Sequence, residues 1–307
     1  MLHQPKYSNL QNDIFTNACY NIQTRSKATI NRSTALKLRI PMPSLYTTHI
    51  ATHLGAQWEW VLLALCVAFF ISGFVDSIAG GGGFISTPSL LLAGLPPHLA
   101  LGTNKFIVVF GTAIASFNFI IHKKVLWRIV LVGIVFSTIG AYIGSKVVLL
   151  TSDSALKNII LLLLPIAALL ALVPKKFHQG RIHFSSKDIF LITPLLSLGI
   201  GFYDGYFGPG TGSFLIMGFY IALRMDLLYA SGCAKLINLG SGLGSLIAFI
   251  LGGSVLYLLA LPIIACNMLG GYLGSRLALQ KGAKIVRLMV VAVFVLMFIS
   301  LLVQYRF

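Results

Sequence analysis

Seven acidic residues occur in the whole chain: Asp13, Glu59, Asp76, Asp153, Asp188, Asp204 and Asp226. Two of them sit in matching surroundings. Asp76 lies in GFVDSIAGGGGFISTPS (Gly73–Ser89) and Asp204 in GFYDGYFGPGTGS (Gly201–Ser213), each at the end of an apolar run and just before a glycine-rich break. A carboxylate at the centre of a membrane helix costs about 3 kcal/mol, so a neutral residue is expected there unless the acid has a use. Burial favours the protonated form, and a carboxyl that gains and loses a proton can couple transport to an ion or proton. The competing reading is local: an aspartate can end a broken helix by accepting backbone N–H bonds.

The glycines that follow carry the second half of the chemistry. Gly80, Gly81, Gly82 and Gly83 in the first stretch, and Gly208, Gly210 and Gly212 in the second, let main chain approach a ligand closely. Ser86 and Thr87, and Thr211 and Ser213, then open two short apolar segments. A helix N-terminus offers unpaired N–H groups and partial positive charge, which suits an anion. Neither stretch is a phosphate-binding Walker loop, since no Gly-Lys-Ser/Thr follows the glycines. Close helix packing through small residues is the alternative use. Lys105 (GTNKF) and Lys235 (GCAKL) stand near the starts of long apolar runs, with Asn104 and Asn238 as uncharged donors nearby. The lysines are expected to attract an anionic substrate or to pair with Asp76 and Asp204; the alternative is snorkelling to the membrane surface. Lys146 and Arg276 read as snorkelled markers at helix ends, and Tyr203 and Tyr206 either line a path or pack.

The elements that must position these residues are membrane helices. Of 307 residues, 57% are hydrophobic and 10% charged, against about 25% charged in soluble domains, and the mean hydropathy is +0.89. Apolar runs cover 58–76, 84–95, 99–121, 126–150, 156–173, 189–204, 213–223, 227–251, 254–279 and 285–304. Most approach the roughly 20 residues that span a bilayer; the two short runs after the glycine breaks do not, and are expected to be half-helices or re-entrant segments. The predicted fold is therefore an all-α polytopic membrane protein with broken helices.

It is also a repeat. GAYIGSK (140–146) matches GGYLGSR (270–276), and the aspartates recur at an offset of 128 residues, the lysines at 130. The predicted organisation is a basic, disordered tail over 1–57, a first membrane repeat over 58–173, a polar linker over 174–188 and a second repeat over 189–304. Loop charges argue that the repeats are inverted, because Lys and Arg favour the cytoplasmic side. His122–Arg128 is basic where its counterpart around Gly252–Ser254 is uncharged, and Thr151–Lys157 is nearly neutral where Lys281–Arg287 is basic. The tail opposes this, since a unit of five membrane elements puts it outside. Its Arg- and Ser-bearing, acid-poor composition fits a transit peptide, a disordered tail or a true start at Met42. Substrate sites lie where such repeats meet.

The net charge of +16 does not indicate nucleic acid, because the basic residues gather in the tail and loops. Cys19, Cys66, Cys233 and Cys266 lack disulfide or metal spacing and read as small apolar fillers. No HExxH or GxSxG occurs and no histidine lies deep in a run, so neither enzyme, metal nor cofactor is expected. A carrier for a small anion is the leading class, and a passive anion channel the alternative; a homo-oligomer stays open.

The stretches DSIAGGGGFISTPSLLLAGLPPHLALGTNKF and GFYDGYFGPGTGSF resemble the sulfite exporter TauE/SafE family of membrane transporters over about residues 58–304. That resemblance implies a multi-pass secondary carrier of the plasma membrane for sulfite, sulfonates or related sulfur-containing organic anions, and a bacterial origin. The long tail departs from the family's compact start.

Overall fold

The computed structural model describes residues 58–152, 155–156, 184–282, 284–286 and 288–289. The tail expected over 1–57 lies outside the described residues, as do nearly all of the apolar run 156–173 and most of the linker 174–188 and the run 285–304.

Within these limits the chain is helical. The elements are α1 (Trp58–Ala79), α2 (Gly83–Leu92), α3 (Pro97–Ile121), α4 (Trp127–Leu150), a π-helical turn (Asp188–Ile192) leading into α5 (Thr193–Tyr206), α6 (Thr211–Ala222), α7 (Leu227–Leu251) and α8 (Tyr257–Lys281). Local sequence explains their ends. Pro97 opens α3 where a missing N–H costs nothing. Asp226 caps α7, accepting the N–H groups of Leu228 at 3.0 Å and Tyr229 at 3.3 Å. α1 stops at the glycine run, where Gly80 takes a φ of +79°.

Among the described residues six helices are long and apolar enough to cross a membrane: α1, α3, α4, the π turn with α5, α7 and α8. α2 has 10 residues and α6 has 12. At 1.5 Å per residue these reach roughly 15–18 Å, short of the ~30 Å hydrocarbon thickness. Large apolar side chains such as Leu131, Leu195 and Leu258 remain exposed on the outer surface, as lipid contact requires. This is the all-α polytopic membrane architecture that the sequence predicts.

Helices pack most closely as α4 with α5, α1 with α8, α4 with α7 and α3 with α8. Small residues allow it. A Cβ at Gly140 would strike the carbonyl of Leu198, and one at Gly270 that of Phe70. The contacts recur at the offset of the sequence repeat. Gly102 abuts the carbonyl of Ser254, and Gly232 that of Lys124. One residue on, Thr103 Oγ1 accepts the N–H of Leu256 at 3.0 Å and Cys233 Sγ accepts that of Leu126 at 3.3 Å. The buried Cys233 thus does more than fill space.

Candidate functional site

The two glycine breaks meet. A Cβ on Gly80 would collide with the main chain of Gly212, and one on Gly83 would stand 2.8 Å from Pro209 Cα. Ser213 ties them together: its N–H donates to the carbonyl of Gly80 at 3.3 Å and its hydroxyl to that of Ala79 at 2.6 Å. Tyr203, on α5, braces the second break by donating from its hydroxyl to the Pro209 carbonyl at 2.7 Å.

Beside this crossing lie the four charged residues singled out from sequence, paired crosswise. Lys105 Nζ lies 2.7 Å from Asp204 Oδ1, and Lys235 Nζ 3.0 Å from Asp76 Oδ2. Each pair therefore joins the lysine of one half to the aspartate of the other. All four are at least nine-tenths buried. The lysines stand about two turns into α3 and α7 and are buried against carboxylates instead of reaching outward, which the snorkelling reading requires. Helix capping by the aspartates is likewise not what is found. Asp76 and Asp204 lie inside α1 and α5, and their carboxylates meet ammonium groups instead of backbone N–H groups. A buried ion pair stabilises little over an apolar pair, but losing one partner costs about 3–5 kcal/mol.

A cavity of roughly 40 Å³ lies among these elements, large enough to admit water. Most of the residues named from sequence reach it. From the first half come Asp76, Gly80, Gly83, Asn104 and Lys105; from the second, Asp204, Gly208, Gly210, Thr211, Gly212 and Asn238. Gly81, Gly82, Ser86, Thr87, Ser213 and Lys235 are not on its wall. Gly82 folds back on α1, where its carbonyl accepts the Ser72 hydroxyl at 2.9 Å, and Ser86 turns to the same carbonyl at 3.4 Å. Thr87 acts from behind, its Oγ1 lying 3.3 Å from Asn104 Nδ2.

The helix starts supply fewer free donors than the sequence suggested. The amides of Phe84, Ile85 and Ser86 bond to carbonyls of Gly81 and Gly82, and those of Thr211 and Ser213 to Gly208 and Gly80. The Gly83 and Gly212 amides have no acceptor among the described residues, and both residues line the cavity. Among the described residues no group of three metal-ligating side chains occurs.

Sequence reasoning missed Val108, Val109, Thr112 and Gly242 on the cavity wall, and Ser241, whose hydroxyl donates to Asp204 Oδ2 at 2.8 Å. For Val108 the repeat offset was an available signal, since it lies 130 residues before Asn238.

Comparison with known proteins agrees with this architecture. The family model described as "Sulfite exporter TauE/SafE" matches residues 65–301. A "Probable membrane transporter protein ORF9" of Sinorhizobium sp is 39% identical over 244 residues, covering 79% of this chain and 92% of that protein. "Probable membrane transporter protein YfcA" of Escherichia coli K12 is 37% identical over 245 residues, covering 78% and 90%. No solved structure matches. The chain is a membrane transporter and belongs to the sulfite exporter TauE/SafE family.

Proposed function

We propose that the protein is a secondary carrier in the plasma membrane for a small anion: sulfite, a sulfonate or a related sulfur-containing organic anion. The crossed quartet of Asp76, Lys105, Asp204 and Lys235, three of which line one small cavity of mixed polar and apolar wall, is the observation that carries this reading. Two lysines and two carboxylates sum to no net charge. An entering monovalent anion, hydrogen sulfite or a sulfonate, adds one negative charge, and one proton on Asp76 or Asp204 restores neutrality, so anion and proton travel together. The substrate contacts are the cavity-facing glycines, with Thr211, Asn104, Asn238 and Lys105. Gly81, Gly82, Ser86, Thr87 and Ser213 shape the breaks from behind.

Alternating access is favoured over a channel because the two breaks touch main chain to main chain, a joint about which two halves could move. The recurrence of contacts at the repeat offset supports two related halves, and the loop charges support their inversion. Rocking of such repeats about a site between them is a known transport mode.

The test is uptake of sulfite and methanesulfonate into proteoliposomes under an imposed pH gradient. Wild-type protein should accumulate one of them above the external concentration, and Asp76→Asn and Asp204→Asn should lose the gradient-driven part. Uphill accumulation unchanged in both variants would defeat the coupling role; flux that only runs downhill would return the channel reading.

A further inference from the structure

The two lysines occupy equivalent positions of the repeat, yet their surroundings differ. Lys235 is fully buried and lies off the cavity wall. Its ammonium is committed twice to one residue, donating to the carboxylate of Asp76 at 3.0 Å and to the main-chain carbonyl of Asp76. Lys105 lines the cavity. Asp204 is its one charged partner among the described residues, which leaves ammonium donors uncommitted. Its Nζ also lies close to Gly208, 3.2 Å from where a Cβ would stand, so a side chain at that position would crowd the ammonium.

The aspartates differ in step. Ser241 keeps a hydroxyl on Asp204 Oδ2, so that carboxylate retains a donor when Lys105 turns elsewhere. The position equivalent to Ser241 in the first half is Gly111, which has no hydroxyl to offer Asp76. Without Lys235, Asp76 would be a buried, unpaired charge, the costliest arrangement available to it.

A third asymmetry sits beside Lys105. Asn104 is 7% exposed and lines the cavity. Asn104 Nδ2 donates to Thr87 Oγ1 at 3.3 Å, and Oδ1 is buried without a partner among the described residues. With the amide turned over, Thr87 donates to its oxygen and the free end becomes an N–H₂ donor. The equivalent residue in the second half is Ala234, which offers nothing.

We propose that Lys105, with Asn104 beside it, is the cationic contact of the transported anion, and that Lys235 serves Asp76 instead of the anion. The assignment rests on reading the cavity as an anion site. The carrier is then functionally lopsided: the anion exchanges with Asp204 for the Lys105 ammonium, while the Lys235–Asp76 pair holds the first break in place.

Sulfite binding to the purified full-length protein, read as a sulfite-dependent rise in unfolding temperature, tests this independently of transport rate. Lys105→Met leaves Asp204 only the Ser241 hydroxyl and lowers stability too, so the comparison is made on folded protein. There it should weaken sulfite binding by roughly tenfold to a hundredfold, the loss expected for one charge-assisted hydrogen bond, and Lys105→Arg should recover part of it. Lys235→Met is expected to fold poorly. The double variant Lys235→Met with Asp76→Asn removes both charges together and should fold and keep wild-type sulfite affinity, whatever its transport rate. Equal loss of affinity in the Lys105 variant and the double variant would overturn the assignment, as would undiminished affinity in Lys105→Met. If wild-type protein responds to neither sulfite nor methanesulfonate, the anion reading itself falls and takes this assignment with it. A responsive wild type with equally affected lysines removes only the asymmetry.

Discussion

Gly80 and Gly212 touch main chain to main chain, with Ser213 donating its N–H to the Gly80 carbonyl across the contact. No side chain fits between them, and Gly80 also takes a φ of +79°. Gly80→Ala should therefore destabilise the protein by ~3 kcal/mol or more, combining a backbone clash with left-handed strain. Gly94 is the control. Its φ is +87°, but no atom of the described residues lies within 4 Å of an added Cβ, so Gly94→Ala should cost only about 1–2 kcal/mol. Thermal unfolding in detergent separates the two; similar losses would mean that the crossing is looser than described.

The reciprocal contacts make a paired prediction. A methyl on Gly102 would strike the Ser254 carbonyl, and one on Gly232 the Lys124 carbonyl. Both glycines are helical and both obstacles are main chain, so relief must come from moving a whole loop. Gly102→Ala and Gly232→Ala should each lower folded yield strongly and to a similar degree. A tolerated substitution at one position only would show that the equivalence does not extend to the loops.

Asp226 offers a change outside the transport machinery. It caps α7 with two backbone N–H bonds. Asp226→Ala should cost about 1 kcal/mol and Asp226→Asn much less, because asparagine also caps well. Anion uptake per folded molecule should not change. Reduced uptake at normal stability would place Asp226 in the mechanism.

Ser241 donates its hydroxyl to the buried Asp204 carboxylate. Replacing it with alanine removes a hydrogen bond to a charged acceptor, for which about 1.5–3 kcal/mol is typical. Ser241→Ala should lower the unfolding temperature, whereas Ser241→Thr, which keeps the hydroxyl, should recover part of the loss. No recovery would point to packing at α7 instead of the hydrogen bond.

Chemistry was more legible in the sequence than contact was. Asp76, Asp204, Lys105 and Lys235 stand out because charge in an apolar run is conspicuous and each occurs twice. Which lysine meets which aspartate was not legible, since helical periodicity fixes a face along one helix but not its neighbour in another part of the chain. The same limit explains the glycines. A run such as Gly80–Gly83 signals a break, yet Gly80 and Gly83 face the cavity while Gly82 packs back on α1, a difference of backbone direction that four identical residues cannot encode. Val108 and Thr112 escaped notice for the opposite reason: their types are ordinary in a membrane helix, and only their helical spacing from Lys105 brings them to the cavity wall. The helix starts were overread, because most of the freed amides are consumed within and between the breaks.

The crossed pairing has a consequence for synthesis. While only the first half of the chain has emerged from the ribosome, Asp76 and Lys105 lack the counter-ions they meet in the finished fold, since these lie in α5 and α7. Until then they have only each other or water, because lipid penalises a charge without a partner. The crossed pairs can form only once α5 and α7 have been made, so completing the fold requires an exchange of partners.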